Sequence, residues 1–429
     1  MIERYSRPKM SKIWAEQAKY IRWYRVETTA LANNPNATSP MLASWHKKTS
    51  KIKFSKKDLS EIATIEKEVK HDVVAFTTFL ENRAGTSAKY LHFGLTSSDV
   101  VDTALSMAIS DSLRQILADL DSLMGILKHK IYMYHDTSMI GRTHGQHAEL
   151  ITFGLKLAVW YDELKRSRDR IIAAKEIISV GKLSGPVGTY TGTTPTQEAW
   201  TCMYLSLKPV LAATQIIQRD RHAQVITTLA LLGSSIEKFA TEIRNLQRTE
   251  IGEVEEVFGK NQKGSSSMPH KHNPIVCENL CGLARILRGY ALTSMENMCQ
   301  WGERDISNSS VERVIIPDAF QLIDYMIFKF ASVVENLVVR TDVMNDNMAK
   351  SNDIPNTHKA LLYLVKGGMS RQKAYNLVQK AAITTEYSSF WDNIVVLLGN
   401  NYDKYFNDWE SDTKYIDEII DRTLNRKEE

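Results

Sequence analysis

The sequence predicts an all-α protein in which an elongated central bundle of long helices is flanked by two smaller helical domains. Turn residues are scarce, with 20 Gly and 10 Pro among 429 residues, well under the roughly 12% of average usage. Residues 41–84 and 318–354 contain neither. A sandwich or barrel of short strands needs turn residues about every 8–12 positions, so an all-β fold is excluded. Apolar residues instead recur in alternating steps of three and four over many turns, the mark of long helices packed nearly parallel.

Residues 1–96 read as a small helical domain whose segments are broken at Pro35, Pro40 and Gly85. Residues 97–344 read as the long-helix bundle. Its first seam is Leu105, Ile109, Leu113, Ile116, Leu120, Leu123 and Leu127, and a second helix spans Leu155 to Val180. A third seam follows Leu229, Leu232, Ile236, Phe239, Ile243 and Leu246. The last runs from Phe320 through Ile323, Ile327, Phe330, Val334, Leu337 and Thr341 to Met344. A helix of about 30 residues is ~45 Å long, against a usual mean of ~11–12 residues. Residues 345–429, with Pro355, the Gly367-Gly368 stop and the polar end Arg426-Lys427-Glu428-Glu429, read as a C-terminal helical domain.

Composition narrows the function. A hydrophobic content of 43% with 24% charged residues excludes wholesale disorder. Lys plus Arg number 54 against 50 Asp plus Glu, too small an excess to indicate a nucleic-acid or membrane partner. The basic run Lys47, Lys48, Lys51, Lys53, Lys56 and Lys57 has no interleaved aromatics beyond Phe54 and reads as a solvated face. The N-terminus lacks a charged stretch followed by an apolar one, and no run approaches 18 apolar residues. A soluble, cytoplasmic protein is expected. Cys202, Cys277, Cys281 and Cys299 are too few for a disulfide framework. Cys277 and Cys281 stand one helical turn apart, but no second zinc-like pair exists, so free thiols are expected.

Six polar segments interrupt the helices. His71-Asp72 opens the apolar run Val73-Val74-Ala75-Phe76. His92 to Asp99 ends in Thr96, Ser97 and Ser98, which can cap the following helix or offer its positive end to an anion. In Gly141-Arg142-Thr143-His144-Gly145-Gln146-His147, two histidines three apart suit a metal only if helical, and no third ligand has clear spacing. A general acid–base His beside small residues is the better functional reading, with a structural His the alternative. Gly181 to Tyr190 has three glycines without Walker spacing and reads as a bend between long helices. Gly264-Ser265-Ser266-Ser267-Met268-Pro269-His270-Lys271-His272-Asn273-Pro274 cannot continue a helix through its two prolines. Too few apolar side chains exist there to pin it, yet it is rich in donors for an anionic ligand. Glu303 to Arg313 places Arg304 and Arg313 nine apart, with Ser309 between them. Arginines suit bidentate phosphate or carboxylate binding; the alternative is a surface helix with ion pairs to Glu303 or Glu312.

The fifth segment resembles the signature G-S-S-x-M-P-x-K-x-N-P of the fumarase/aspartase superfamily, matching every fixed position from Gly264 to Pro274. Arg4-Tyr5-Ser6-Arg7-Pro8, Lys70-His71-Asp72-Val73-Val74-Ala75-Phe76, the Thr-Ser-Ser-Asp stretch, Arg142-Thr143-His144-Gly145 and Gln218-Arg219-Asp220-Arg221-His222 narrow the likeness to its adenylosuccinate lyase family. The likeness runs from residue 4 to at least residue 318. It implies β-elimination at a C–N bond with release of fumarate, from adenylosuccinate and from succinylaminoimidazole-carboxamide ribotide (SAICAR), without cofactor or metal.

The resemblance also implies roles. Ser265 looks like the base and His144 the general acid, with Glu278 as the carboxylate partner of His144. Lys271 and Asn273 resemble donors to the succinyl carboxylate or the developing enolate, Ser266 resembles a contact to the carboxylate, and Met268 belongs to the same loop. Thr96 and Ser97 match carboxylate-binding hydroxyls and Gln215 an amide contact. Arg4, Tyr5, Lys70, His71, Asp72, His92, Arg304, Ser309 and Arg313 resemble nucleotide and phosphate contacts. The implied assembly is a homotetramer with a superfamily core of packed long helices, each site drawing on three chains. One departure is His272, where relatives often carry Arg or an apolar residue. Argininosuccinate lyase, fumarase and aspartase share the signature but bind no ribose phosphate. A non-catalytic lens-type role is disfavoured by the intact Ser265, His144 and Lys271, and a metal hydrolase built on His144 and His147 is more distant still.

Overall fold

The computed structural model describes residues 2–259, 263–264, 267–385, 388–406 and 413–425. Within them the longest helices are α1 (Ser97–Met133), α2 (Phe153–Ile178), α3 (Asp220–Leu246), α4 (Ile275–Glu296) and α5 (Ser307–Glu335). The predicted seams are the buried faces. Ile109, Leu113, Ile116, Leu120, Leu123 and Leu127 of α1 are all buried, with only Leu105 half-exposed, and every seam residue of α3 from Leu229 to Leu246 is buried.

The last seam departs from expectation. It holds from Phe320 to Val334, but α5 ends at Glu335 and Thr341 is exposed. Val338–Val339 leaves the helix to pair antiparallel with Val254–Glu255, and a new helix, Thr341–Ala349, carries Met344. Adjacent β-branched residues favour an extended backbone over a helical one, and the register of the seam is lost across them.

The chain forms two compact units, one of residues 1–120, 166–234 and 282–328, the other of residues 121–165, 235–281 and 329–429. In the first, Tyr20, Trp23, Phe54, Phe76 and Phe79 make a buried aromatic nucleus, with Tyr20 and Phe76 stacked at 5.6 Å and Trp23 edge-on to Phe76 at the same separation. Val100, Ala104 and Met107 of α1 join it. Each such aromatic is worth roughly 1.5–3 kcal/mol when fully buried.

In the second unit, Trp160 of α2 stacks on Phe239 of α3 at 5.0 Å, and Phe330 of α5 lies 5.9 Å from Phe239. Helices Thr357–Lys366, Arg371–Ile383 and Phe390–Leu398 enclose a separate core of Ala360, Leu364, Ala374, Ala381, Phe390 and Ile394. This unit also holds a hairpin of strands β1 (Ser138–Thr143) and β2 (Gln146–Thr152). The fold is all-α with small two-stranded ladders. Among the described residues no helix is long and apolar enough to cross a membrane.

Candidate active site

The first unit carries the candidate anion and nucleotide contacts. His71 caps helix Asp72–Ala84: its Nδ1 accepts from the Val74 amide at 3.5 Å, while its Nε2 lies 3.4 Å from Ser97 Oγ. Asp72 accepts from Arg313 Nη2 at 2.8 Å, joining two sequence segments 241 residues apart. A cavity of about 410 Å³ opens beside this pair, with Lys19, Arg22, Trp23 and Ser309 also on its wall. Arg304 donates from Nη1 to Gln215 Oε1 at 2.9 Å, and Gln215 donates from Nε2 to the Pro186 carbonyl at 3.2 Å. Tyr5 sits edge-on to Tyr325 at 5.4 Å, and Arg4 and Lys70 are exposed. The ion pairs read as an alternative for Arg304 and Arg313, to Glu303 or Glu312, do not form; the partners are Gln215 and Asp72.

Beneath these residues lies a layer of buried charge. At the start of α1, Asp99 Oδ2 accepts from the Thr96 amide at 2.8 Å and Asp99 Oδ1 from Lys182 Nζ at 2.5 Å, with Asp99 and Lys182 both fully buried. Asp99 thus makes the N3 half of a capping box, its carboxylate reaching back to the Thr96 amide. Among the described residues the Thr96 hydroxyl has no hydrogen-bond partner. Lys182 also donates to the Gly185 carbonyl at 2.9 Å, so the glycine segment read as a bend between long helices is anchored by an internal lysine and leads into the short helix Pro195–Tyr204.

His92 stands on a second buried group. Its backbone amide donates to Glu27 Oε2 at 3.1 Å and its Nδ1 lies 2.6 Å from Glu27 Oε1, with Glu27 fully buried. Burial alone lowers the imidazole pKa, but the hydrogen bond and ion pair with Glu27 outweigh it and raise the value. Arg219 forms the third such group, paired bidentately with Asp102 at 2.6 and 3.0 Å and with Glu312 at 2.8 and 3.0 Å. This ties α1 to α5 one residue before Arg313. His222 beside it is pushed down to about 4 by burial and by the Arg219 guanidinium, and is neutral at pH 7.

The second unit carries His144, and here the helical placement considered for the two histidines is corrected. Residues 141–147 are a β-hairpin, with Thr143 paired to Gln146 and His144-Gly145 as its two-residue turn. Both turn residues have positive φ, 56° and 76°, as a type I′ turn requires. His144 thus projects at an exposed tip. Arg142, two residues back, is clamped bidentately on Glu253 at 2.7 and 2.9 Å, and Asn347 donates to the same buried carboxylate at 2.9 Å. His147 is engaged with Ser351 Oγ at 2.7 Å. No hydrogen bond joins His144 to Glu278, which lies exposed in the first turn of α4.

Ser265 and Ser266 lie outside the described residues, but both limbs of the signature segment are defined. Asn273 Nδ2 donates to the Gly264 carbonyl at 2.8 Å. A Cβ on Gly264 would fall 1.7 Å from the Lys271 carbonyl oxygen, so only glycine fits. The segment then enters α4, whose first amides on Val276 and Cys277 each donate at 3.0 Å to the buried Glu256 carboxylate. Lys271 and Met268 are exposed.

Of the supporting residues, Glu27, Glu253 and Glu256 were not singled out from sequence, and Asp99 and Lys182 stood inside quoted segments without a role of their own. A buried ion reads like a surface ion in a hydropathy pattern, and only its pairing reveals it. The two sets of site residues belong to different units of the chain. Chemically they offer an exposed imidazole, a lysine and an amide in one unit, and hydroxyls, histidines and paired arginines suited to an anionic ligand in the other.

A family model described as Lyase matches residues 3–289. The chain is 46% identical over 383 residues to adenylosuccinate lyase of Aquifex aeolicus, and 47% identical over the same length to adenylosuccinate lyase of Bacillus subtilis; each match covers 89% of this chain and 88% of the relative. The fold is shared with a fumarate lyase from Mesorhizobium sp. BNC1 at a TM-score of 0.86 and 22% identity, covering 100% of both chains. It is shared too with β-carboxy-cis,cis-muconate cycloisomerase from Acinetobacter calcoaceticus at 0.82, with 22% identity over 98% of each chain. The chain belongs to the adenylosuccinate lyase family of carbon–nitrogen lyases, within the fumarase/aspartase superfamily.

Proposed function

We propose that the protein cleaves adenylosuccinate to AMP and fumarate and cleaves SAICAR by the same β-elimination, as a cytoplasmic homotetramer of purine nucleotide synthesis. The observation that carries this reading is the near-half identity to adenylosuccinate lyases over 89% of the chain, with every fixed position of the signature present.

In this reading Ser265 removes a proton from the carbon beside a succinyl carboxylate, and the electron pair moves onto that carboxylate. Lys271 and Asn273 stabilise the resulting dianion. Its collapse expels the nitrogen, which takes a proton from His144, and fumarate and the amino product are released. A serine hydroxyl is a weak base in water, so exclusion of water and nearby cations must assist it. Glu278 pairs with His144 when the site is assembled from three chains. Ser266 contacts the carboxylate, with Met268 in the same signature segment. Thr96 and Ser97 hold the second carboxylate, and Gln215 the substrate amide. Arg4, Tyr5, Lys70, His71, Asp72, His92, Arg304, Ser309 and Arg313 hold the nucleotide and its phosphate. The Asp72–Arg313 pair and the free Thr96 hydroxyl support this part of the reading.

No metal or cofactor takes part in the proposed steps. The test is to offer adenylosuccinate and argininosuccinate separately and identify the products by chromatography. Fumarate with AMP from the first and nothing from the second is expected. Fumarate from argininosuccinate alone would transfer the assignment to a different branch of the superfamily.

A further inference from the structure

His272 lies between two residues assigned to charge stabilisation, and its side chain is anchored on two sides. Its ring stacks face to face on Phe258, with centroids 4.1 Å apart and planes 8° from parallel. Its Nδ1 is 2.6 Å from Glu255 Oε1, and the other Glu255 oxygen accepts from Arg340. Glu255 is itself fixed in the short ladder opposite Val338. Burial alone raises the Glu255 carboxyl, but the His272 and Arg340 contacts outweigh it and hold the group below its usual range. The His272 carbonyl accepts from Gln247 Nε2 at 3.1 Å, and Gln247 Oε1 accepts in turn from the Glu256 amide.

We propose that His272 is a positioning residue that fastens the signature segment to the Val254–Glu255 strand through its Phe258 stack and Glu255 bond, fixing Lys271 and Asn273 for the reaction. The segment has few apolar side chains of its own, and Met268 and Lys271 are exposed, so the Phe258 stack and the Glu255 bond are specific anchors for it. Consecutive Cα atoms are about 3.8 Å apart. A residue pinned through both its ring and its carbonyl therefore leaves its neighbours little freedom. Displacing a stabilising donor by about 1 Å can cost up to ~100-fold in rate. A donor acting on charge that develops only in the transition state affects kcat more than KM.

The kinetic part of this inference rests on the lyase reading above, so the experiment has two arms. In the first, hydrogen exchange is followed by mass spectrometry on the full-length protein, using peptides covering residues 267–275. His272→Ala is expected to speed exchange there by about tenfold or more, with helix α3 unchanged; unchanged protection in 267–275 would overturn the proposal. In the second, steady-state kinetics on adenylosuccinate are compared for His272→Ala, His272→Phe and Glu255→Gln. His272→Ala is expected to lower kcat by roughly 10–100-fold with KM changed less than about threefold. His272→Phe, which keeps the stack and loses the bond, is expected to lie between His272→Ala and wild type. Adding Glu255→Gln to His272→Phe should cost little further. A His272→Ala enzyme with kcat within twofold of wild type, or a double variant whose losses simply multiply, would also overturn it. An inactive wild type would sink the substrate assignment and leave the exchange arm to decide the clamp.

Discussion

Replacing Arg142 with Met removes a guanidinium held at 2.7 and 2.9 Å on Glu253, whose side chain is fully buried while that of Arg142 is 16% exposed. Asn347 alone would then face the carboxylate, at 2.9 Å. Breaking a buried pair from one side strands a charge away from water and costs about 3–5 kcal/mol. For a folded unit of 150–250 residues, each kcal/mol moves Tm by about 2–4 °C, so the variant should melt roughly 6–20 °C below wild type by calorimetry. Turnover should also fall about tenfold or more, because His144 sits two residues on at the turn that Arg142 anchors. Arg142→Met/Glu253→Met, which removes both charges, should recover much of the stability but little of the rate. An Arg142→Met protein melting within about 2 °C of wild type would refute the claim that this pair braces the hairpin.

Gly264→Ala places a Cβ where the Lys271 carbonyl oxygen stands, so turnover should drop at least about tenfold with Tm nearly unchanged; an active Gly264→Ala enzyme would show that the segment adopts another path. His92 has a raised pKa in the folded chain. Its protonated form therefore contributes stability that is fully present below the unfolded value near 6.5 and is lost as pH rises through the folded value. The Tm advantage of wild type over His92→Gln should accordingly shrink above neutral pH, and an advantage that grew with pH would contradict the Glu27 pairing. Ser265→Ala and His144→Ala should each lower turnover at least about a hundredfold. Mixing the two inactive proteins under exchange conditions should restore activity if sites combine chains, and no restoration would argue against shared sites.

The helices were legible because their signal is local. Residues such as Ile109, Leu113 and Ile116 repeat within a few turns and are buried as the repeat demands. The end of α5 was not, because Val338–Val339 is drawn off by Val254–Glu255, more than 80 residues earlier in the chain. The hairpin carrying His144 was missed although Gly145 offered a turn signal, since the alternation around it is weak and both histidines invite a metal reading. At the proposed site, the signature points to candidate chemistry-bearing side chains, while the buried groups that brace their neighbours were not legible. Glu27 under His92, Lys182 under Asp99, Glu253 under Arg142 and Glu256 at the start of α4 are ordinary charged letters until distant contacts bury them. Their energetic weight comes from burial and pairing, which no local window contains.

The most direct test of the central claim is the ultraviolet absorbance of adenylosuccinate followed continuously with the purified protein in excess chelator, with Ser265→Ala alongside. The account predicts a progressive change to the spectrum of AMP, with one fumarate per AMP and at least about a hundredfold less rate in the variant. A folded protein that leaves the spectrum unchanged, or a variant as fast as wild type, would contradict it.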